Sequence, residues 1–229
     1  MAGALGWGAL AASSLLLGAV LGCVRAWSTR PLGALLGFGA GALLSAISFE
    51  LFAEGFSDSA AGVTVGLAIG AVTYVALNRR IERRPQSGGS SLALGAFLDG
   101  IPEQLALGLS LVGGSGVSAG LLLAVFVSNL PEAIGSASEA RESGTSRGAI
   151  LRLWTAVVVV STAAAVIGYV VLDTASAEIV AGIQGFAAGA LIAMLVDTMI
   201  PDATRRLGES TGLFTALGFA VAALISATS

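Results

Sequence analysis

The chain has 229 residues, of which 55% are hydrophobic and only 11% are charged, and its mean hydropathy is +0.91. Soluble domains carry about 25% charged residues, so the composition excludes an ordinary soluble protein and predicts an all-α integral membrane protein embedded in a lipid bilayer. There is no His, and the single Cys, Cys23, can form neither an intrachain disulfide nor a thiolate metal site alone. The net charge of −3 does not indicate a nucleic-acid partner, and none is expected.

Apolar runs of about 20 residues, the length that crosses a bilayer core, divide the chain into eight predicted transmembrane helices. Their predicted bounds are 4–24, 31–53, 60–77, 91–112, 117–137, 150–172, 177–200 and 211–227. We therefore expect residues 1–229 to form one transmembrane domain. Glycines four residues apart, as at 62, 66 and 70 and again at 185 and 189, predict helices that pack closely.

The eleven basic residues, all Arg, test this division. They fall between predicted helices one and two, three and four, five and six, and seven and eight, with Arg152 just inside helix six. Loops that carry Arg face the cytoplasm, so the pattern places both termini outside a multi-pass protein of the plasma (cytoplasmic) membrane.

Two pairs of segments within the chain resemble each other. Residues 37–45 in predicted helix two match 185–193 in helix seven, and 98–103 in helix four match 127–132 in helix five. In each pair the predicted topology makes the two helices antiparallel, which is the arrangement of inverted repeats. The expected architecture is a 3+2+3 inverted-repeat bundle.

Predicted helices four and five carry closely similar polar stretches. One reads Asp99-Gly100-Ile101-Pro102-Glu103 and the other reads Ser128-Asn129-Leu130-Pro131-Glu132. Positions i and i+4 share a helix face, so Asp99 and Glu103 point the same way, as do Ser128 and Glu132. A carboxylate is costly in hydrocarbon unless a cation, a proton or a partner compensates it.

We therefore predict an all-oxygen site for a divalent cation, built from Asp99, Glu103, Ser128, Asn129 and Glu132. The alternatives are a simple Pro kink, a protonated carboxyl bonded to backbone, and, for Ser128 and Asn129, a role in helix–helix packing.

A pathway to the site is predicted from Glu50, Gln104 and Asp197. Glu54 and Asp202 are expected to lie in water at the membrane interface. Glu139 is expected to pair with Arg residues of its own loop.

At these residues the chain resembles the Zrt/Irt-like (ZIP) family of divalent metal transporters. The family's fourth-span motif, His-Asn-x-Pro-Glu-Gly, matches residues 99–104, and its fifth-span motif, which ends in x-Pro-Glu or x-Pro-His, matches 128–132. Residues 185–190, followed by Asp197, are similar to the family's seventh span. The resemblance implies eight spans, a binuclear metal site on spans four and five, alternating access and a homodimer.

The chain departs from the family pattern at three ligand positions. Asp99 replaces the motif His, Gly100 replaces the Asn, and Ser128 replaces the first ligand of the fifth span. The chain is thus identified as a divergent prokaryotic member that lacks the motif histidines. Its oxygen-only site suits Mn²⁺, Fe²⁺ or Mg²⁺ better than Zn²⁺, although carboxylates bind Zn²⁺ too.

The expected function is a secondary transporter that moves divalent metal ions into the cytoplasm. The alternative is a relative that no longer transports metal and conducts or senses protons or another small solute. An intramembrane enzyme using Asp99 with Asp197 or Glu132 has no nucleophile–base pair to support it, because His and Lys are absent. No enzymatic activity is therefore expected.

Overall fold

A computed structural model describes residues 2–25, 27–83, 89–111, 118–172 and 175–228. Within these ranges the chain is almost entirely helical and contains no β-strand, which confirms the all-α prediction. By length and composition, six helical stretches in the described ranges can cross a membrane: Gly3–Val24, Thr29–Asp58, Ala60–Glu82, Ala119–Glu142, Arg147–Val170 and Ala177–Thr228. These stretches indicate a multi-pass membrane protein.

The helices are numbered in chain order as α1 (Ala2–Val24), α2 (Thr29–Asp58), α3 (Ala60–Glu82), α4 (Gly89–Leu109), α5 (Ala119–Glu142), α6 (Arg147–Leu172), α7 (177–207) and α8 (Thr211–Thr228). Helices α2 and α7 each contain a π-helical segment, at Ile47–Ala53 and Leu195–Met199. The long stretch Ala177–Thr228 bends at Gly208, whose φ of 78° is a conformation that favours glycine.

Several helices run past the limits predicted from hydropathy. Helix α2 ends at 58 rather than 53, α3 at 82 rather than 77, α5 at 142 rather than 137 and α7 at 207 rather than 200. Hydropathy marks the hydrocarbon core, whereas helical hydrogen bonding continues into the polar interface. The predicted limits at 112 and 117, and Arg84, lie outside the described residues.

Several helix pairs approach each other at backbone distance because glycine lies at their contacts. In α3 and α7, a Cβ atom on Gly66 or Gly70 would collide with a carbonyl oxygen of the partner helix, and so would one on Gly185 or Gly189. Similar glycine contacts join α2 to α8, α1 to α5 and α4 to α6. Small residues at such contacts allow van der Waals packing that larger side chains would prevent.

The largest cluster of buried apolar side chains lies where α2, α5 and α7 meet, and it includes Leu43, Leu121 and Leu191. Helices α4 and α5 contact the same region, with Ala106, Leu107 and Val125 in the cluster. Helices α4 and α5 are therefore held inside the bundle, which positions their polar residues among protein atoms.

Candidate functional site

The carboxyl groups of Asp99 and Glu132 lie next to each other, one on α4 and one on α5. Both side chains line the same cavity, and the two carboxyl groups interact with each other. The Tyr74 hydroxyl on α3 donates a hydrogen bond of 2.7 Å to Asp99 Oδ1. Two carboxylates at this separation repel unless a proton or a cation lies between them. The pair is therefore a place where positive charge is stabilised.

One helical turn further along α4, Glu103 faces Ser128 and Asn129 of α5. Ser128 Oγ lies 3.1 Å from Glu103 Oε1, and all three side chains are almost fully buried. Glu103 Oε2 and Asn129 Nδ2 have no hydrogen-bond partner. A buried polar atom without a partner costs about 1–3 kcal/mol, and more when it is charged. These atoms leave bonding capacity beside the Asp99–Glu132 pair.

Gly39 of α2 allows the α5 backbone to come close at this point. A Cβ atom on Gly39 would lie 2.8 Å from Ser128 Cα. Pro102 and Pro131 both lie inside helices that continue past them. Each Pro lacks an N–H group, so a carbonyl in the preceding turn loses its usual donor. Each of the two helices therefore has a carbonyl oxygen with spare bonding capacity in the turn before its Pro.

A cavity of about 220 Å³ begins at Asp99 and Glu132 and passes along α7. Five acidic side chains line it, with one Arg: Glu82, Asp99, Glu132, Asp197, Asp202 and Arg205. Glu82 and Arg205 lie at the helix ends that carry Arg residues, which the predicted topology assigns to the cytoplasmic side. The cavity therefore joins the carboxyl pair to that side through acidic walls.

The five predicted ligands form two neighbouring subsets rather than one closed cage. Asp99 contacts Glu132, and Glu103 contacts Ser128 with Asn129 beside it. In the part of the chain that the structure describes, no group of three or more Asp, Glu or Cys side chains converges in a metal-binding arrangement. A bound ion would have to draw the two subsets together.

The three residues predicted to form a pathway lie in different surroundings. Asp197 is in the π segment of α7 and lines the acidic cavity. Glu50 is in the π segment of α2, where its Oε1 accepts a hydrogen bond from Ser226 of α8. Gln104 is fully buried, and its Oε1 lies near Gly8 of α1 instead of on the cavity wall.

The acidic residues near the Arg-bearing helix ends have partners that the sequence did not indicate. Asp202 pairs with Arg205 at 2.6 Å and with Arg206 at 3.1 Å. Arg206 also pairs with Glu139 of α5 at 2.7 Å, so the expected pairing of Glu139 within its own loop is not the one observed. Arg206 thereby joins α5 to α7 beside the cavity mouth.

Sequence reasoning missed Tyr74, Thr198 and Glu82. Tyr74 and Thr198 each follow one other polar residue in a mainly apolar helix, and Glu82 lies inside an Arg cluster that indicated only topology. The available signal was the position of Tyr74 in the middle of an apolar run, because a buried tyrosine hydroxyl usually requires a partner.

No protein-family model matches the chain, and no curated protein matches it either.

Proposed function

We propose that this protein is a secondary transporter that moves divalent metal cations into the cytoplasm, as a divergent member of the ZIP family. The observation that carries the proposal is the contact between Asp99 and Glu132 at the inner end of an acidic cavity, with Glu103 one turn away. Five carboxylates and one Arg line the cavity, so it attracts cations and repels anions.

The unpaired oxygen of Glu103 supports a cation at this site. Glu103 is 1% exposed and its Oε2 has no partner, so an ionised Glu103 requires compensating positive charge nearby. All available ligands are oxygens, together with the amide of Asn129. This donor set favours Mn²⁺, Fe²⁺ or Mg²⁺, with Zn²⁺ as a weaker substrate.

The proposal includes eight spans in a 3+2+3 inverted repeat. Gly208 divides the stretch Ala177–Thr228 into α7 and α8, and α4 supplies the remaining span. In the proposed repeat, α1, α2, α3 and α4 correspond to α6, α7, α8 and α5. The contact between α1 and α5 then corresponds to the contact between α6 and α4. The contact between α2 and α8 corresponds to the contact between α7 and α3. These are the glycine-lined pairs, and the two π segments begin at equivalent positions, Ile47 and Leu195.

An inverted repeat favours alternating access around a central site. The acidic cavity extends from the carboxyl pair toward the Arg-bearing helix ends. If these ends face the cytoplasm, such a cavity corresponds to an inward-facing state of the proposed transporter. We further propose a homodimer in the cytoplasmic membrane of a prokaryote, with both termini outside, as the resemblance and the Arg distribution imply.

Uptake of Mn²⁺, Fe²⁺, Mg²⁺ and Zn²⁺ into proteoliposomes tests the function. We expect uptake by the wild-type protein and its loss in Glu103→Gln and Glu132→Gln. The matched control is Glu209→Gln, which changes an exposed carboxylate in the turn between α7 and α8. Uptake that is unchanged in both site variants would contradict the proposal.

A second function is favoured by one observation. The carboxyl groups of Asp99 and Glu132 interact with each other. Among the described residues, no third acidic side chain joins them in a metal-binding arrangement. Such a pair of carboxyl groups typically shares a proton. A protein of this kind would conduct or sense protons. It would show proton flux in proteoliposomes and no equilibrium binding of any divalent ion at neutral pH.

A further inference from the structure

Tyr74 is a buried polar residue that the sequence pattern did not connect with the site. It lies on α3, is 1% exposed, and is among the largest fully buried side chains of the described residues. Its hydroxyl donates a 2.7 Å hydrogen bond to Asp99 Oδ1. The Thr198 side chain of α7 also interacts with the Tyr74 side chain, and Thr198 and Asp99 line the same cavity. Tyr74 therefore connects α3, α4 and α7 at one point.

The position of Tyr74 is fixed by the packing of α3 on α7. Gly66 and Gly70 of α3 lie against the backbone of Gly182 and Phe186, and Gly185 lies against the backbone of Val63. Helices in backbone contact cannot slide or rotate without breaking these contacts. The phenol is consequently held at a defined place relative to Thr198 and the cavity wall.

A hydrogen bond to one carboxylate oxygen determines where the other oxygen points. Oδ1 of Asp99 is occupied by Tyr74, and the same carboxyl group lies beside Glu132 and lines the acidic cavity. Ligands held in this way by a hydrogen bond are pre-organised for a metal ion, and loss of the supporting group typically lowers affinity about 10–100-fold.

We propose that Tyr74 is a positioning residue for the cation site: it holds the Asp99 carboxylate with one oxygen free for the ion. The inference rests on the proposed function, because it assumes a divalent cation at Asp99. It adds a third helix, α3, to a site otherwise built from α4 and α5. It also ties the site to the α3–α7 pair, so ion binding and the placement of these helices are coupled through one hydrogen bond.

The test compares Tyr74→Phe with Tyr169→Phe. These are the only two tyrosines in the chain, and each substitution removes one hydroxyl oxygen and no other heavy atom. Mn²⁺ affinity of the purified protein is measured by titration calorimetry, and uptake in proteoliposomes gives KM and the maximal rate. For Tyr74→Phe we expect affinity to weaken about 10–100-fold and KM to rise in parallel, with Tyr169→Phe unchanged. The maximal rate should stay within about twofold of wild type, because the saturated site still forms.

A double-variant cycle separates positioning from general packing. If Tyr74 acts through Asp99, Tyr74→Phe should add no further loss of Mn²⁺ affinity to Asp99→Asn. Additive losses, or unchanged affinity in Tyr74→Phe, would overturn the proposal. If uptake is abolished in Glu103→Gln and Glu132→Gln while Tyr74→Phe binds Mn²⁺ as wild type does, the proposed function stands and the role of Tyr74 fails.

A spectroscopic measurement keeps the proposal testable if Tyr74→Phe does not fold. In Tyr169→Phe, Tyr74 is the only tyrosine, so ultraviolet resonance Raman spectra report the hydrogen bonding of its phenol alone. We expect Mn²⁺ addition to shift the tyrosine bands, because the ion withdraws charge from the Asp99 oxygen that accepts the hydrogen bond. Bands that stay unchanged at saturating Mn²⁺ would refute the contact between Tyr74 and the ion site.

Discussion

The contact between Gly39 and α5 allows a test of the site without changing any polar side chain. A Cβ atom on Gly39 would lie 2.8 Å from Ser128 Cα and 3.1 Å from Ser128 N. Carbon atoms in van der Waals contact settle about 3.5–4.0 Å apart, so Gly39→Ala must push the two helices apart by about 1 Å. The obstructing atoms belong to the backbone and cannot rotate away as a side chain would.

The expected effect of Gly39→Ala follows from that displacement. Overpacking a tight contact costs about 1–3 kcal/mol of stability. Ser128 and Asn129 move with the α5 backbone, and a misplacement of about 1 Å at a functional site can cost about 100-fold in activity. We therefore expect a lower melting temperature and a fall in Mn²⁺ affinity of about 10–100-fold.

The matched control for this variant is Gly212→Ala on α8. An added Cβ atom meets nothing within 4 Å there, and Ala is favoured over Gly in a helix by about 1 kcal/mol. Titration calorimetry with Mn²⁺ and thermal unfolding in detergent are measured for both variants. If Gly39→Ala binds Mn²⁺ with wild-type affinity, the contact between α2 and α5 does not position the ligands and the reasoning is refuted.

Two other substitutions test separate parts of the account. Gln104→Leu replaces a buried amide whose nitrogen and oxygen both lack partners. We therefore expect stability in thermal unfolding to be unchanged or raised by about 1–3 kcal/mol, and Mn²⁺ uptake to be unchanged. A loss of uptake would show that Gln104 belongs to the pathway. Arg206→Gln removes the ion pair with Glu139 that joins α5 to α7, together with a pair to Asp202 within α7. We therefore expect faster uptake at the cost of about 1 kcal/mol of stability, whereas the exposed control Arg205→Gln should change stability little. Unfolding curves and initial rates that are the same for both variants would contradict a joining role for Arg206.

The sequence indicated candidate site residues where acidic side chains occur in apolar helices, because such residues are rarely buried. Carboxylates in apolar helices directed attention to Asp99, Glu103 and Glu132, because charge in hydrocarbon requires compensation. The structure brings these acids into one region, together with Ser128 and Asn129. The i, i+4 spacing predicted that Ser128 and Glu132 share a face of α5, and Ser128 Oγ lies 3.1 Å from Glu103 Oε1 of α4.

Contacts between distant segments could not be read from spacing alone. Tyr74 and Asp99 are 25 positions apart on different helices, and only tertiary packing brings them together. Gln104 follows Glu103 directly, but adjacent positions on a helix point in different directions, which explains why its amide faces α1. The π segments that contain Glu50 and Asp197 had no signal in the hydropathy pattern.

The central claim is that a divalent cation binds between the acidic side chains of α4 and α5. Anomalous scattering from crystals soaked in Mn²⁺ tests this claim most directly, because it locates the ion and identifies its ligands together. The account predicts an Mn²⁺ peak bonded to carboxylate oxygens of Asp99, Glu103 and Glu132. A protein that transports Mn²⁺ yet shows no peak there, or shows these side chains turned toward lipid, would contradict it.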